Sequence, residues 1–238
     1  MQIHKFPELS LLIDATSSHL TTLIQTLQTD GGEARIVLTG GTAGIALLKR
    51  VAELAAAGAA IDWSRVHIFF GDERNVPVSH PDSNEGQARN VLLSHVAIPE
   101  DNIHGYGLDG GDMTDAVDAY ARTVTTFAPD GFDLHLLGMG GEGHINSLFP
   151  HTDAVREDSA TVVAVTDSPK PPAERASLTL PAVRAADRVW LLVSGAEKAE
   201  ATAALVAGAD PLDWPCAGAR GVKETVLYVT DDAASQLP

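Results

Sequence analysis

Phe132-Asp133-Leu134-His135-Leu136-Leu137-Gly138-Met139-Gly140-Gly141-Glu142-Gly143-His144-Ile145-Asn146-Ser147-Leu148-Phe149-Pro150 is an apolar run that empties into four glycines, one acid and one histidine. It reads as a buried strand ending in a ligand-binding turn. Without a Cβ, Gly138, Gly140, Gly141 and Gly143 let the backbone approach a bound molecule closely. His144 closes the turn and is able to exchange a proton near neutral pH, with Glu142 near enough to bias its tautomer or charge. His135 lies inside the apolar run and reads as a core histidine.

Working outward, the same strand-then-turn pattern recurs. Ala34 to Leu38 runs into Thr39-Gly40-Gly41-Thr42-Ala43-Gly44 and a helical pattern over 45–54. Arg65 to Phe70 runs into Gly71-Asp72-Glu73-Arg74-Asn75-Val76-Pro77, followed by a helix capped near Ser83 or Asn84 and reaching about Ser94. Val189 to Val193 precedes Ser194-Gly195-Ala196-Glu197-Lys198 and an alanine-rich helix. Leu9 to Leu27 has helical spacing and stops at Asp30-Gly31-Gly32, and 161–165 and 225–229 add two β-rich runs. Near-continuous apolar strands alternating with helices predict an α/β fold: a single domain over 1–238 with a mostly parallel, Rossmann-like sheet flanked by helices. Ligands of such sheets bind beyond the carboxyl ends of the strands, so the turns at 39–44, 71–77, 138–144 and 194–198 are expected to converge on one crevice.

Composition narrows the function. Lys plus Arg number 16 against 32 Asp plus Glu, a net charge of −16, which disfavours nonspecific binding to nucleic acid or to an anionic membrane. An anionic ligand would need local positive contacts. Cys216 is the only cysteine, so no internal disulfide and no cysteine-rich metal site can form, and a reducing, cytoplasmic setting fits. No run approaches the about 18 apolar residues of a membrane span, and the N-terminus lacks a signal-peptide pattern; a soluble, unprocessed chain is expected. His67, His80, His95 and His151 show no helical pairing with a third ligand, and no catalytic metal or organic cofactor is predicted.

Thr39-Gly40-Gly41-Thr42 follows a strand and opens a helix, where backbone N–H groups and the helix dipole suit a phosphate or carboxylate. It lacks the lysine of a nucleotide-binding P-loop. Residues 138–143 satisfy G-x-G-x-x-G, but Pro150 limits a helix after Gly143 to about two turns and no acid follows a second strand at the required spacing, which argues against a dinucleotide. Asp72, Glu73 and Arg74 end a buried strand: Arg74 can neutralise an oxyanion or phosphate, and Asp72 can orient a base or take a proton. The alternative is a solvated charged loop. Lys198 and Arg175 are candidate anion ligands.

At these residues the chain resembles the 6-phosphogluconolactonase family, within the wider sugar-phosphate isomerase and deaminase fold. Residues 71–77 with Ser83-Asn84, and 137–150, carry the resemblance most strongly. Ser168-Pro169-Lys170-Pro171-Pro172 with Arg175, Leu178-Thr179-Leu180-Pro181 and Gly195-Ala196-Glu197-Lys198 extend it over nearly the whole chain. The resemblance implies metal-free, cofactor-free hydrolysis of a small sugar-phosphate lactone, 6-phospho-D-glucono-1,5-lactone, in the oxidative pentose phosphate pathway. It implies His144 as the general base, Arg74 stabilising charge on the lactone, Asp72 shaping the site, and Gly40, Gly41, Thr42, Arg175 and Lys198 holding the phosphate. It names no protein partner. The sequence departs from the family pattern at Glu142, where Asp is usual, at Ile145-Asn146, and at Thr39 and Ala43-Gly44. Two rivals remain: a glucosamine-6-phosphate deaminase or aldose–ketose isomerase, whose Phe-Asn-Glu-Pro continuation is absent here, and a sugar-phosphate sensor without turnover.

Overall fold

In the computed structural model, which describes residues 1–237, the glycine-terminated apolar runs lie side by side as parallel strands. The strands are β1 (Gln2–Phe6), β2 (Ala34–Leu38), β3 (Val66–Phe70), β4 (Asp72–Arg74), β5 (Ile103–His104), β6 (Leu134–Leu137), β7 (Val162–Val165), β8 (Arg175–Leu178), β9 (Arg188–Val193) and β10 (Glu224–Thr230). The helices are α1 (Leu9–Leu27), α2 (Gly41–Ala56), α3 (Asn84–Val91), α4 (Thr114–Phe127), α5 (Asp153–Arg156), α6 (Leu180–Arg184) and α7 (Ala199–Ala207). Seven strands form the main sheet in the order β1-β10-β9-β6-β2-β3-β5, every pair parallel. Strands β3 and β6 are buried throughout, which is why they read as apolar runs broken only by one buried histidine each, His67 and His135. One hydrophobic cluster runs from Leu12 to Ala234.

From β2 the chain builds outward through β3 and β5, and from β6 it builds the other way through β9 and β10. The boundary between β2 and β6 is therefore the topological switch point, where the turns beyond neighbouring strands diverge and open a crevice. Thr39 Oγ1 accepts a hydrogen bond from the Gly138 amide at 3.0 Å and ties the two turns together at its floor.

A second, antiparallel sheet, β4-β8-β7, sits beyond β3. The run at 161–165 belongs here rather than to the main sheet. Gly71 makes the crossing possible: a Cβ there would lie 2.3 Å from Asn146 Oδ1 and 3.1 Å from His135 Nε2. The pairing sets Asp72 opposite Ser177 and Arg74 opposite Arg175.

The short helix expected after Gly143 does not form. Gly143 (φ 78°) and Asn146 (φ 49°) both take the left-handed conformation, and Ile145 pairs with Leu148 in an isolated bridge, so the segment is a chain of tight turns. Buried Asn146 holds its strained backbone through side-chain contacts at 3.4 Å to the Leu178 carbonyl and to His135. With no helix N-terminus to receive a pyrophosphate, the G-x-G-x-x-G spacing is coincidental to dinucleotide binding. The helix after Ser83 also ends earlier than expected, at Val91.

Candidate active site

The four turns expected to converge do so around a cavity of about 430 Å³ at the switch point. Residues 39–44, Asp72 with Arg74, residues 138–140 with His144, and Ser194, Glu197 and Lys198 all line it. Arg175 joins them from β8. Among the predicted site residues only Glu142 does not line the wall; it stands behind His144.

Tight backbone turns hold His144. The Gly140 amide donates to the His144 carbonyl at 2.9 Å and the Gly143 amide to the Gly140 carbonyl at 3.0 Å. The imidazole stacks on the buried Phe149 ring, centroids 4.6 Å apart. Gly140 is required by close approach: a Cβ would fall 1.9 Å from His144 Nδ1 and 2.6 Å from Glu142 Oε2.

Behind the ring, Nδ1 lies 3.2 Å from Glu142 Oε1, and Lys170 Nζ lies 2.8 Å from that oxygen and 3.4 Å from Nδ1. Burial, reinforced by the Lys170 charge, pushes His144 down to about 4, while Glu142 and Asp72 pull the other way. Burial pushes the Glu142 carboxyl up, but the Lys170 hydrogen bond and the neighbouring charges outweigh it and bring it to about 2. At neutral pH the pair is therefore a neutral imidazole beside a carboxylate. This is the charge state a general base needs.

Asp72, Glu73 and Arg74 separate into different tasks, although together they read as one charged loop. Asp72 accepts hydrogen bonds from the Ser147 hydroxyl at 2.6 Å and from Asn84 Nδ2 at 3.1 Å, and Arg175 Nη1 lies 4.0 Å away. Glu73 turns away from the cavity, accepting from the Ser83 hydroxyl and from the amides of Arg74, Asn84 and Glu85, and so anchors the start of α3. Burial nonetheless leaves its carboxyl above the usual range, those hydrogen bonds opposing. Arg74 donates to the Asp82 carbonyl, and its Nε is buried with no partner among the described residues.

Buried Arg175 spends much of its fork on the loop ahead of it: Nε donates to the Pro172 carbonyl at 2.9 Å and Nη2 to those of Lys170 at 3.0 Å and Pro171 at 3.3 Å. Burial lowers its guanidinium from the ordinary value, Asp72 opposing and Arg74 reinforcing the shift. At the other end of the cavity, Gly40 caps α2 without a side-chain hydrogen bond, and the first turn of α2 carries no acid. Those first-turn N–H groups are donors open to an anion, and Thr42 and Lys198 line the same cavity, Lys198 Nζ lying 3.8 Å from Glu197 Oε1.

Several contributors escaped the sequence reading. Lys170 follows a proline and reaches Glu142 across 28 positions of chain, while Ser147 and Asn84 fix Asp72. Asn84 also packs against Gly40, where a Cβ would lie 2.2 Å from its Oδ1, a contact that no spacing in the sequence announces.

Comparison with known proteins agrees with this architecture. Residues 7–228 match the family described as glucosamine-6-phosphate isomerases/6-phosphogluconolactonase. The chain is 48% identical over 245 aligned positions to a 6-phosphogluconolactonase of Mycobacterium tuberculosis, covering 99% of this chain and 98% of the relative. It is 42% identical to one from Streptomyces coelicolor, covering 99% and 94%. Among solved structures, the 6-phosphogluconolactonase of Thermotoga maritima superposes with a TM-score of 0.85 at 28% identity, covering 97% of this chain and 99% of that one. A monomeric glucosamine-6-phosphate deaminase reaches the same TM-score at 19% identity, a likeness of fold alone, covering 99% and 100%. The chain belongs to the glucosamine-6-phosphate isomerase/6-phosphogluconolactonase family.

Proposed function

We propose that the chain hydrolyses 6-phospho-D-glucono-1,5-lactone to 6-phospho-D-gluconate, in the cytoplasm and in the oxidative pentose phosphate pathway. The observation that carries this reading is one cavity lined both by His144, with the Glu142 carboxylate 3.2 Å from its Nδ1, and by the uncapped start of α2. The relatives named 6-phosphogluconolactonase at 42–48% identity support it.

In this reading the α2 N-terminus at Gly40, Gly41 and Thr42, with Lys198, takes the 6-phosphate and thereby fixes the far end of the sugar. Arg175 contributes positive charge from β8. His144 Nε2 removes a proton from water as its oxygen attacks C1. The ring C1–O bond then breaks, and the departing alkoxide regains the proton from the imidazolium. Arg74 stabilises the negative charge that develops on the carbonyl oxygen, and Asp72 holds Ser147, Asn84 and Arg175 in place around it. A lactone is already electrophilic, so a positioned base worth roughly 10²–10⁴-fold, with an oxyanion donor, accounts for catalysis without a nucleophilic serine or cysteine.

The test is hydrolysis of the lactone with spontaneous opening subtracted, for the wild type and His144→Ala. Wild-type turnover that is lost in the variant supports the reading; unchanged turnover removes His144 as the base. Ammonia release from glucosamine 6-phosphate at a catalytic rate would instead establish the deaminase, and tight binding with no turnover the sensor.

A further inference from the structure

Lys170 places its ammonium against both His144 Nδ1 and Glu142, and it comes from outside the glycine turn. Its loop is fixed from two sides. Ser168 Oγ donates to the Lys170 carbonyl at 3.0 Å and accepts from the Lys170 amide at 3.2 Å, while buried Arg175 gathers the carbonyls of residues 170–172. The ammonium is therefore delivered from an ordered base, although the side chain itself is about half exposed, 46%.

We propose that Lys170 is a positioning residue for His144: it pins the Glu142 carboxylate against Nδ1 and so selects the tautomer that leaves Nε2 free to accept a proton. The distances rank the contacts. Lys170 Nζ is closer to Glu142 Oε1, at 2.8 Å, than to Nδ1, at 3.4 Å, so the ammonium's stronger attraction is to the carboxylate. The same oxygen lies 3.2 Å from Nδ1, within reach of the proton that the proposal places there. The groups that face His144 are Glu142 from its own turn, Lys170 from the 168–172 loop and Asp72 from β4, with the neutral Phe149 ring stacked on it. Lys170 is thus the charge that opposes protonation of the ring, and Arg175 supports it through the loop.

The catalytic part of this inference rests on His144 being the base. Wild type, Lys170→Met and Lys170→Arg are compared by lactone hydrolysis across pH and by ¹⁵N NMR of the His144 imidazole, which needs no substrate. In Lys170→Met the acid limb moves to higher pH by about half a unit or more, kcat at neutral pH falls roughly three- to tenfold, and KM changes little. The NMR spectrum shows an Nδ1–H tautomer in the wild type and a mixture in Lys170→Met, with Lys170→Arg restoring both readouts. An unchanged acid limb and tautomer would overturn the proposal, as would a raised KM with kcat intact, the signature of a lysine that binds substrate directly. A wild type without lactonase activity would remove the proposed function, while the NMR comparison would still decide whether Lys170 sets the tautomer.

Discussion

Glu142 Oε1 stands 3.2 Å from Nδ1 of His144, which lines the cavity while Glu142 does not. A carboxylate in that place fixes the imidazole and offsets the charge it gains when it takes a proton. Glu142→Gln keeps the length and loses the charge. Its kcat is expected to fall roughly ten- to a hundredfold with little change in KM, measured by steady-state lactone hydrolysis; a variant with wild-type kcat would leave Glu142 without a part in the chemistry.

Protonation of His144 removes the base, and burial with Lys170 holds that protonation down at about 4. The rate at saturating neutral conditions is therefore expected to stay level as pH falls through the ordinary histidine range and to drop only as pH approaches about 4. A limb centred near the ordinary histidine value of about 6.5 would show that the ring is not shielded as the structure has it.

Stability follows the same sign. His104, His135 and His144 are each depressed to about 4 in the folded chain, burial being the first cause in all three. The unfolded chain binds protons that the folded one refuses, so their contribution is fully present above about pH 6.5 and is lost as pH falls from there toward 4. Thermal unfolding followed from neutral to acid pH should show a progressive fall in Tm within that window, and a flat Tm would contradict it.

Gly140→Ala places a methyl group where His144 Nδ1 and Glu142 Oε2 now stand, at 1.9 and 2.6 Å. The pair must move apart for the methyl to fit. The loss in kcat is expected to be about a hundredfold or more, since displacing a catalytic group by about 1 Å is enough for that. Circular dichroism should show a folded protein, because the turn lies at the cavity rather than in the core.

Lys198→Ala removes a lysine that lines the cavity together with the start of α2. KM for the phosphorylated lactone is expected to rise roughly tenfold or more, as for loss of a charge-assisted hydrogen bond, while hydrolysis of unphosphorylated glucono-1,5-lactone stays unchanged. An equal effect on both substrates would place Lys198 away from the phosphate.

Glu73→Gln tests the division of labour in the 72–74 segment. Glu73 accepts from three backbone amides and the Ser83 hydroxyl at the start of α3. Replacing an acceptor-only carboxylate with an amide that must turn an NH2 toward some of those donors is expected to cost about 1–3 kcal/mol, read by chemical denaturation. A stability equal to the wild type would make the segment a solvated loop after all.

The strands at Ala34 to Leu38, Val66 to Phe70 and Val189 to Val193 were legible in the sequence because a parallel strand buried on both faces is near-continuously apolar, with Arg35 and His67 the exceptions here. The turns were legible because glycine and polar residues follow each strand's carboxyl end, and the topology brings those ends to one crevice. Strand β1 was not: it is an edge strand with four of its five residues exposed, so no burial wrote a pattern into Gln2 to Phe6. Strands β4 and β8 escaped for another reason, since Asp72 to Arg74 is wholly polar and Arg175 to Leu178 alternates polar with apolar residues over only four positions, both being buried by pairing with each other. The sequence by itself therefore determined the alternating architecture, the turn that presents His144 and the helix start that faces it, all of which follow from local periodicity and backbone freedom. Only the tertiary structure decided that Glu73 anchors a helix while Asp72 faces the cavity, that residues 144–150 form tight turns rather than a helix, and that Lys170 reaches Glu142. Those outcomes are set by hydrogen bonds between groups far apart in the chain, and such partners leave no periodic trace in either segment alone.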